Sequence, residues 1–208
     1  MAVRKTKTMA TGRSQFVGAA GQYFVSYGLA VRQIHASLTV GNAPSVDILA
    51  ASALGQNSLS IQVKTSRNAY RGCRYGREGH EWDVGTSVID KCHVNLWFAL
   101  VDLREGDSCW NPEVFFVPSF WVGQFVKQDF SRKLYFLPST ADDISKERWD
   151  YVSRYLSGDL DVAAWATTWP EEKLVRWGQP AEPCAPLGAS TAAPSGNSGV
   201  AQGPPSVS

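Results

Sequence analysis

Three polar residues at strand spacing are the chain's best candidates for chemistry. Asp47 opens one apolar segment, and Gln62 and Lys64 lie in a second apolar segment, fifteen residues further along the chain. Residues two apart on a strand share a face, so Gln62 and Lys64 point the same way and Val63 points into the core. If the two segments pair as a hairpin, the side chain of Asp47 enters the same cleft as that of Gln62.

This group of donors suits a hard divalent cation. The Asp47 carboxylate, the Gln62 amide oxygen and the Val63 carbonyl oxygen are all oxygen ligands, which Mg²⁺ and Mn²⁺ prefer. A lysine beside such an ion positions or deprotonates a water molecule, or stabilises charge on a phosphate. The sequence therefore predicts phosphate chemistry with Asp47, Gln62 and Lys64 as catalytic residues and with Asp47, Gln62 and Val63 as metal ligands.

A basic run begins at the same lysine. The 14 residues from Lys64 to Arg77 contain no acidic residue and five basic ones: Lys64, Arg67, Arg71, Arg74 and Arg77. Such a run attracts a polyanion, and Tyr70 and Tyr75 between the arginines are suited to stack on a sugar or a base. A solvated loop without a ligand is the alternative interpretation. We expect the four arginines to contact the backbone of a nucleic acid.

The elements that must position these residues alternate between helix and strand. Helical spacing predicts a first helix from Ser14 to Gly28, followed by three strands at 30–37, 46–51 and 59–65. After a loop at 66–79, we expect a short helix at 84–92, a buried strand at 95–103, a strand at 114–117, a helix at 119–127, an edge strand at 133–137, and helices at 145–156 and 170–177. This order predicts an α/β fold built on a mixed sheet, with helical additions at its C-terminal end.

The pattern resembles the PD-(D/E)xK nuclease superfamily, especially the archaeal-type Holliday junction resolvases and the methyl-directed restriction nucleases. Their restriction-endonuclease-like core is likewise a helix, a three-strand meander, a helix and a strand, with a mixed sheet flanked by helices. Asp47 matches the first acidic residue of that family. Gln62-Val63-Lys64 matches the (D/E)xK triplet in the QxK form of the methyl-directed branch. The resemblance covers residues 14–103 and implies a Mg²⁺-dependent endonuclease that cuts duplex or branched DNA as a homodimer.

Two amides stand where that family commonly has carboxylates. Gln62 replaces the acid of the triplet, and Gln22, after Gly21, stands where resolvase-like members often carry a glutamate on the first helix. The usual proline is also displaced, to Pro44. Each amide removes one unit of negative charge near the ion, so that the affinity for Mg²⁺ falls.

These departures keep two other functions open. Asp47 is the one carboxylate that the pattern places in the site, unless Glu78, Glu81 or Asp83 supplies more charge. We expect Gln22 to be a polar residue of the helix surface or of the cleft lining rather than a ligand of the ion. The first alternative is a catalytically weakened nuclease-fold module that binds nucleic acid. The second is an interaction protein with an unrelated α/β fold.

Charge and composition set limits on the whole chain. The 208 residues carry a formal net charge of +1, and 44% of them are apolar, which argues against wholesale disorder. Residues 1–13 carry four basic residues and read as a flexible basic arm, residues 14–178 as the nuclease-like domain, and residues 179–208 as a disordered tail rich in Pro, Ala, Gly and Ser. No segment is apolar enough to span a membrane, and no secretion signal opens the chain. We therefore expect a soluble, cytoplasmic protein.

The cysteines, histidines and tryptophans fit structural roles. Four cysteines without CxxC spacing indicate reduced thiols, although Cys73, His80, Cys92 and His93 could be assembled into a zinc site. His80 is the histidine with most promise as a functional residue. The apolar surroundings of Trp97, Trp121 and Trp149 predict core positions, and packing is also the favoured role of Trp165, Trp169 and Trp177.

Overall fold

Alternating apolar residues in the first half of the chain form the strands of a mixed sheet. A computed structural model of the chain describes residues 7–39, 45–71, 79–106, 111–129, 132–136 and 145–167. The elements in chain order are α1 (Lys7–Ala30), β1 (His35–Leu38), β2 (Ile48–Ala51), β3 (Ser58–Ser66), β4 (Tyr70–Arg71), β5 (Gly79–Asp83), a 3-10 helix (Thr86–Asp90), β6 (Leu96–Asp102), β7 (Glu113–Pro118), α2 (Ser119–Asp129), β8 (Lys133–Phe136), α3 (Trp149–Ser157) and α4 (Val162–Thr167).

The main sheet has five strands in the order β1-β2-β3-β6-β7. The first three form the antiparallel meander that the sequence predicts. β6 lies parallel to β3, and β7 is antiparallel to β6. The expected class, an α/β fold with a mixed sheet flanked by helices, is confirmed.

The core lies where strand periodicity places it. On β3, Leu59, Ile61 and Val63 are buried and alternate with half-buried polar residues. All seven residues of β6 are buried, as expected for a strand covered on both faces. Val25 and Leu29 of α1 join the same cluster, so the first helix packs against the meander.

Several element boundaries differ from the expected ones. α1 begins at Lys7, earlier than the N-cap predicted at Ser14, and continues past Gly28 to Ala30. The first strand consequently begins at His35 rather than at Ala30. The short helix predicted at 84–92 is a 3-10 helix of five residues, Thr86–Asp90.

A second, three-stranded sheet was not expected. Its order is β4-β5-β8, and β4 occupies part of the segment that the sequence predicts to be a loop. β5 pairs with β8, about fifty residues further along the chain, and this pairing has no local signal. The prediction of an edge strand near 133–137 is confirmed, because β8 pairs with β5 alone among the described strands.

Four tryptophans lie in the core, and one cysteine is bonded rather than free. The side chains of Trp97, Trp121, Trp149 and Trp165 are buried, as predicted. Cys92 is disulfide-bonded, so the expectation of a reduced thiol is wrong there; cysteine spacing does not show which residues meet in the fold. Trp169, Trp177, the predicted helix at 170–177 and the predicted tail lie outside the described residues, as do positions 1–6 of the predicted arm. Among the described helices, none is long and apolar enough to span a membrane.

Candidate active site

Asp47 is held at the entrance to β2 by both neighbouring strands. Ile48 pairs with Ile61, and continuing this register by one residue sets Asp47 opposite Gln62. The backbone N–H of Asp47 donates to the Ile61 carbonyl at 2.9 Å. Thr39, which follows β1, donates from its backbone N–H to the Asp47 carbonyl at 3.0 Å. The prediction that Asp47 and the triplet lie on hairpin neighbours is confirmed.

The carboxylate of Asp47 is fastened directly to the triplet. The Val63 N–H donates to Asp47 Oδ2 at 2.7 Å, in the place where a backbone carbonyl would accept in a longer strand. The N–H and C=O of one strand residue point to the same side, so the Val63 carbonyl also faces β2. Ser45, two residues before Asp47, has φ of 76°, a left-handed conformation that costs about 1 kcal/mol or more for a residue with a side chain.

Gln22 reaches the same carboxylate from α1. Its Nε2 donates to Asp47 Oδ1 at 2.9 Å, so both carboxylate oxygens of Asp47 accept a hydrogen bond. Gly21 permits this approach, because a Cβ at position 21 would overlap the side chain of Thr65 on β3. The sequence predicts Gln22 only as a polar residue of the helix surface or the cleft; its direct bond to Asp47 was missed, although the adjacent Gly21 was a signal of close helix–strand contact.

Gln62 presents an unused acceptor. Gln62 Oε1 and Thr65 Oγ1 are buried, and neither has a hydrogen-bond partner among the described residues. A buried acceptor without a donor costs about 1–3 kcal/mol, and native structures keep few of them. The amide oxygen that the sequence predicts to be a metal ligand is therefore free to accept an ion or a water molecule.

Lys64 is half-buried on the same face of β3 as Gln62. Its ammonium makes no hydrogen bond and no ion pair with any residue that the structure describes. Burial lowers the pKa of Lys64 below its ordinary value, and the charge of Asp47 opposes that shift. The neighbouring Lys91 lowers the pKa further and Asp83 raises it, so Lys64 lies within the electrostatic reach of all three groups.

A cleft of about 1020 Å³ opens between α1 and the end of β3, and we call it the α1–β3 cleft. It is lined by Ser14, Val17, Gly18, Val63, Lys64, Thr65, Ser66, Arg67, Asn68, Arg71 and Asp83. Arg67 forms an exposed ion pair with Glu105 at 3.2 Å, and Arg71 lies 3.7 Å from the buried carboxylate of Glu81. Two of the four predicted arginines thus share a cleft with Lys64; Arg74 and Arg77 lie outside the described residues.

The acidic residues named as further sources of charge are placed differently from one another. Glu81 is buried, forms an ion pair with Lys133 at 3.1 Å and lies near Arg71. Its carboxylate therefore links the strands of the second sheet. Asp83 lines the α1–β3 cleft and forms an exposed ion pair with Arg132 at 2.9 Å. Glu78 lies outside the described residues.

The donors fit a hard cation in type but supply little charge. The Asp47 carboxylate, Gln62 Oε1 and the Val63 carbonyl are oxygen donors on adjacent strands, and the unpartnered Gln62 oxygen suits an added ligand. Within the described ranges, no group of three or more His, Cys, Asp and Glu residues could hold a metal ion. Asp47 is therefore the one acid in this donor set.

His80 belongs to the core rather than to the cleft. Its ring stacks on that of Trp82 at 5.8 Å between centroids and packs against Phe115 at 5.1 Å, with Tyr70 on another side. His80 is 8% exposed, so its position favours a structural role.

Comparison of the chain with protein-family models, with curated proteins and with solved structures found no match. The chemical character of the site therefore comes from its own geometry. That geometry combines the hydrogen-bonded carboxylate of Asp47, the unpartnered amide oxygen of Gln62 and the half-buried Lys64. Two arginines lie in the cleft that Lys64 lines.

Proposed function

We propose that the protein is a metal-dependent endonuclease that hydrolyses phosphodiester bonds in DNA, of the PD-(D/E)xK kind that its motif resembles. One observation carries the proposal: the carboxylate of Asp47 is hydrogen-bonded to the strand that presents Gln62 and Lys64. The main sheet also supports it, because α1 precedes a three-strand meander and β6, which follows β4, β5 and the 3-10 helix, lies parallel to β3.

Each residue of the site has a role in this reaction. Asp47, Gln62 and the Val63 carbonyl would hold Mg²⁺ or Mn²⁺. When bound, such an ion offsets charge on the phosphate and eases deprotonation of water. Lys64 acts on the water that attacks phosphorus, or donates to a phosphate oxygen as charge develops there. Gln22 keeps the Asp47 carboxylate oriented by donating to Oδ1.

DNA is the proposed partner because the basic residues are concentrated where the reaction would occur. Arg67 and Arg71 line the α1–β3 cleft beside Lys64, while the chain as a whole carries only +1. Phosphate contacts of this kind supply affinity without reading sequence. Cleavage of two strands would use a homodimer, and we place this activity in the cytoplasm.

A nuclease-fold module that binds nucleic acid without cutting it is the second candidate. It is favoured by a specific observation, namely that Gln22 approaches Asp47 with an amide donor and brings no second carboxylate. With one acid in the donor set, the module would bind phosphate through Arg67 and Arg71 but would not catalyse cleavage efficiently.

A cleavage assay separates the two candidates. Wild-type protein is incubated with duplex, branched and methylated DNA, with and without Mg²⁺ or Mn²⁺. The proposed nuclease nicks at least one substrate only when the metal is present, and Asp47→Ala and Lys64→Ala abolish nicking while leaving DNA binding largely intact. Asp90→Ala and Lys127→Ala, at exposed positions outside the lining of the cleft, serve as matched controls. Wild-type protein that binds these DNAs and cuts none of them with either metal supports the binding module.

A further inference from the structure

The groups around Asp47 bring little net negative charge toward a cation. Gln22 and Gln62 are uncharged amides, and Lys64 adds a positive charge within electrostatic reach of Asp47. Lys91, which follows the 3-10 helix, carries a second positive charge that acts on Lys64. A divalent cation entering the free protein therefore meets one carboxylate, that of Asp47, with the ammonium of Lys64 within electrostatic reach of it.

The acid that lines the cleft does not correct this deficit. Asp83 lies in the α1–β3 cleft, but its carboxylate is paired with Arg132 at 2.9 Å, and its side chain is 49% exposed. The pair is solvated and close to neutral, so it contributes little attraction at the position of Asp47.

Asp47 is also satisfied without an ion. Its two oxygens accept from Gln22 Nε2 and from the Val63 N–H, so the carboxylate keeps its position in the free protein. The acceptor left unused is Gln62 Oε1. The site is thus preformed in shape and incomplete in charge.

We infer that the divalent cation and a phosphate group of the nucleic acid bind this site cooperatively, the phosphate supplying the negative charge that Gln22 and Gln62 lack. This inference rests on the proposed function. Mg²⁺ sites commonly combine one or two carboxylates with substrate phosphates and keep several waters. Coupling of this kind is reciprocal, so the cation must tighten the binding of DNA by the same factor as DNA tightens the binding of the cation.

Mn²⁺ binding, followed by the electron paramagnetic resonance signal of the free ion, tests the coupling without relying on catalysis. Full-length wild-type protein is titrated alone and with a duplex oligonucleotide, whose integrity is checked on a gel after each titration. Asp47→Asn with the same duplex gives the background of Mn²⁺ on DNA. We expect Mn²⁺ to bind the wild-type complex at least about tenfold more tightly than the free protein, above that background.

Variants that add a carboxylate to the site test whether the missing negative charge causes weak cation binding in the free protein. Gln22→Glu adds a carboxylate beside Asp47, and Gln62→Glu does so on β3, so the second variant is available if the first fails to fold. Either variant that folds should bind Mn²⁺ about tenfold more tightly than wild type in the absence of DNA, and DNA should then add less. Glu105→Gln changes an exposed carboxylate that pairs with Arg67 and does not line the cleft. It leaves Asp47 and both amides in place, so it should leave the affinity of the free protein for Mn²⁺ unchanged within about threefold.

Four results would count against the inference. Free wild-type protein that binds Mn²⁺ as tightly as its complex with DNA would show that the site needs no phosphate. A complex that binds Mn²⁺ no more tightly than the Asp47→Asn background would show that bound DNA does not recruit a cation to Asp47. Cleavage of DNA in Mg²⁺ would then show that the nuclease proposal survives alone. Absence of both the coupling and cleavage removes both proposals. Folded glutamate variants that leave Mn²⁺ affinity unchanged would overturn the assigned role of the amides.

Discussion

At the scale of single residues, Lys64 is the most informative side chain. It is half-buried, makes no hydrogen bond within the described part of the chain, and has a pKa lowered by burial. A charged group held in such a place costs stability, because water solvates an ammonium better than a protein interior does. Its retention on an otherwise well-packed strand is therefore better explained by chemistry than by folding.

Replacing Lys64 by methionine should make the protein more stable. Lys64→Met keeps the length of the side chain and removes the buried charge, so we expect the unfolding temperature at neutral pH to rise by about 2–4 °C. Lys127→Met, at an exposed position on α2, should change it by less than about 1–2 °C. A Lys64→Met protein that melts at or below the wild-type temperature would contradict this account of the lysine.

The difference in stability between Lys64→Met and the wild-type protein should depend on pH. The pKa of Lys64 is lower in the folded protein than its ordinary value of 10.5 in an unfolded chain. As pH rises through the folded pKa, the folded state loses the proton first, and the penalty for burying the charge disappears. The advantage of Lys64→Met in melting temperature should therefore be largest at neutral pH and shrink as the pH approaches 10.5. A constant advantage across that range would show that packing, not charge, causes it.

At the scale of elements, the site depends on how closely α1 approaches β3. The part of the site that lies on β3 was predictable, since the alternation of Leu59, Ile61 and Val63 fixes the face of Gln62 and Lys64. The hydrogen bond from Gln22 to Asp47 was not predictable, because the sequence indicates only a polar residue on the helix surface or in the cleft. Helix–strand docking depends on the fit at Gly21 and Thr65, which no periodicity in the sequence describes.

Two glycines of α1 should respond oppositely to alanine. Gly21→Ala places a Cβ against Thr65, so it should lower the free energy of unfolding by about 1–3 kcal/mol. Gly18→Ala meets no atom within 4 Å and should raise that free energy by about 0.5–1 kcal/mol, because alanine favours helix. Denaturant unfolding measures both. Equal effects of the two substitutions would show that α1 does not depend on close contact at Gly21.

The second sheet could not be predicted from the sequence, because its strands pair with partners that are distant along the chain. β4 and β5 form a sheet only because β8 arrives about fifty residues later, and a short segment such as Tyr70–Arg71 shows no strand pattern of its own. The bonded state of Cys92 is a further long-range fact that spacing does not contain.

At the scale of the whole molecule, charge is patterned rather than abundant. The formal net charge of +1 alone argues against a nucleic-acid partner, yet Arg67 and Arg71 line the same cleft as Lys64. Glu81, buried at 5% exposure, lies beside Arg71 and helps to orient it. Attraction for a polyanion should therefore be local to the α1–β3 cleft.

The salt dependence of DNA binding measures this local attraction. Each phosphate contact contributes a slope of about 0.9 to the plot of log affinity against log salt concentration. Arg67→Gln with Arg71→Gln should flatten that slope by about 1–2, measured by fluorescence anisotropy without divalent cations. Arg154→Gln, on α3 and outside the lining of the cleft, should leave it unchanged. An unaltered slope in the double variant would remove these arginines from the DNA interface.

The most direct measurement of the central claim is the single-turnover rate of DNA cleavage by Asp47→Asn, with protein in excess over a substrate that the wild-type protein cuts. This substitution keeps the shape of the side chain and removes the one charge of the donor set. The account predicts a loss of about 100-fold or more in the cleavage rate at nearly unchanged DNA affinity, with Asp90→Asn cutting like wild type. An Asp47→Asn protein that cuts within about threefold of the wild-type rate would contradict the assignment of this site.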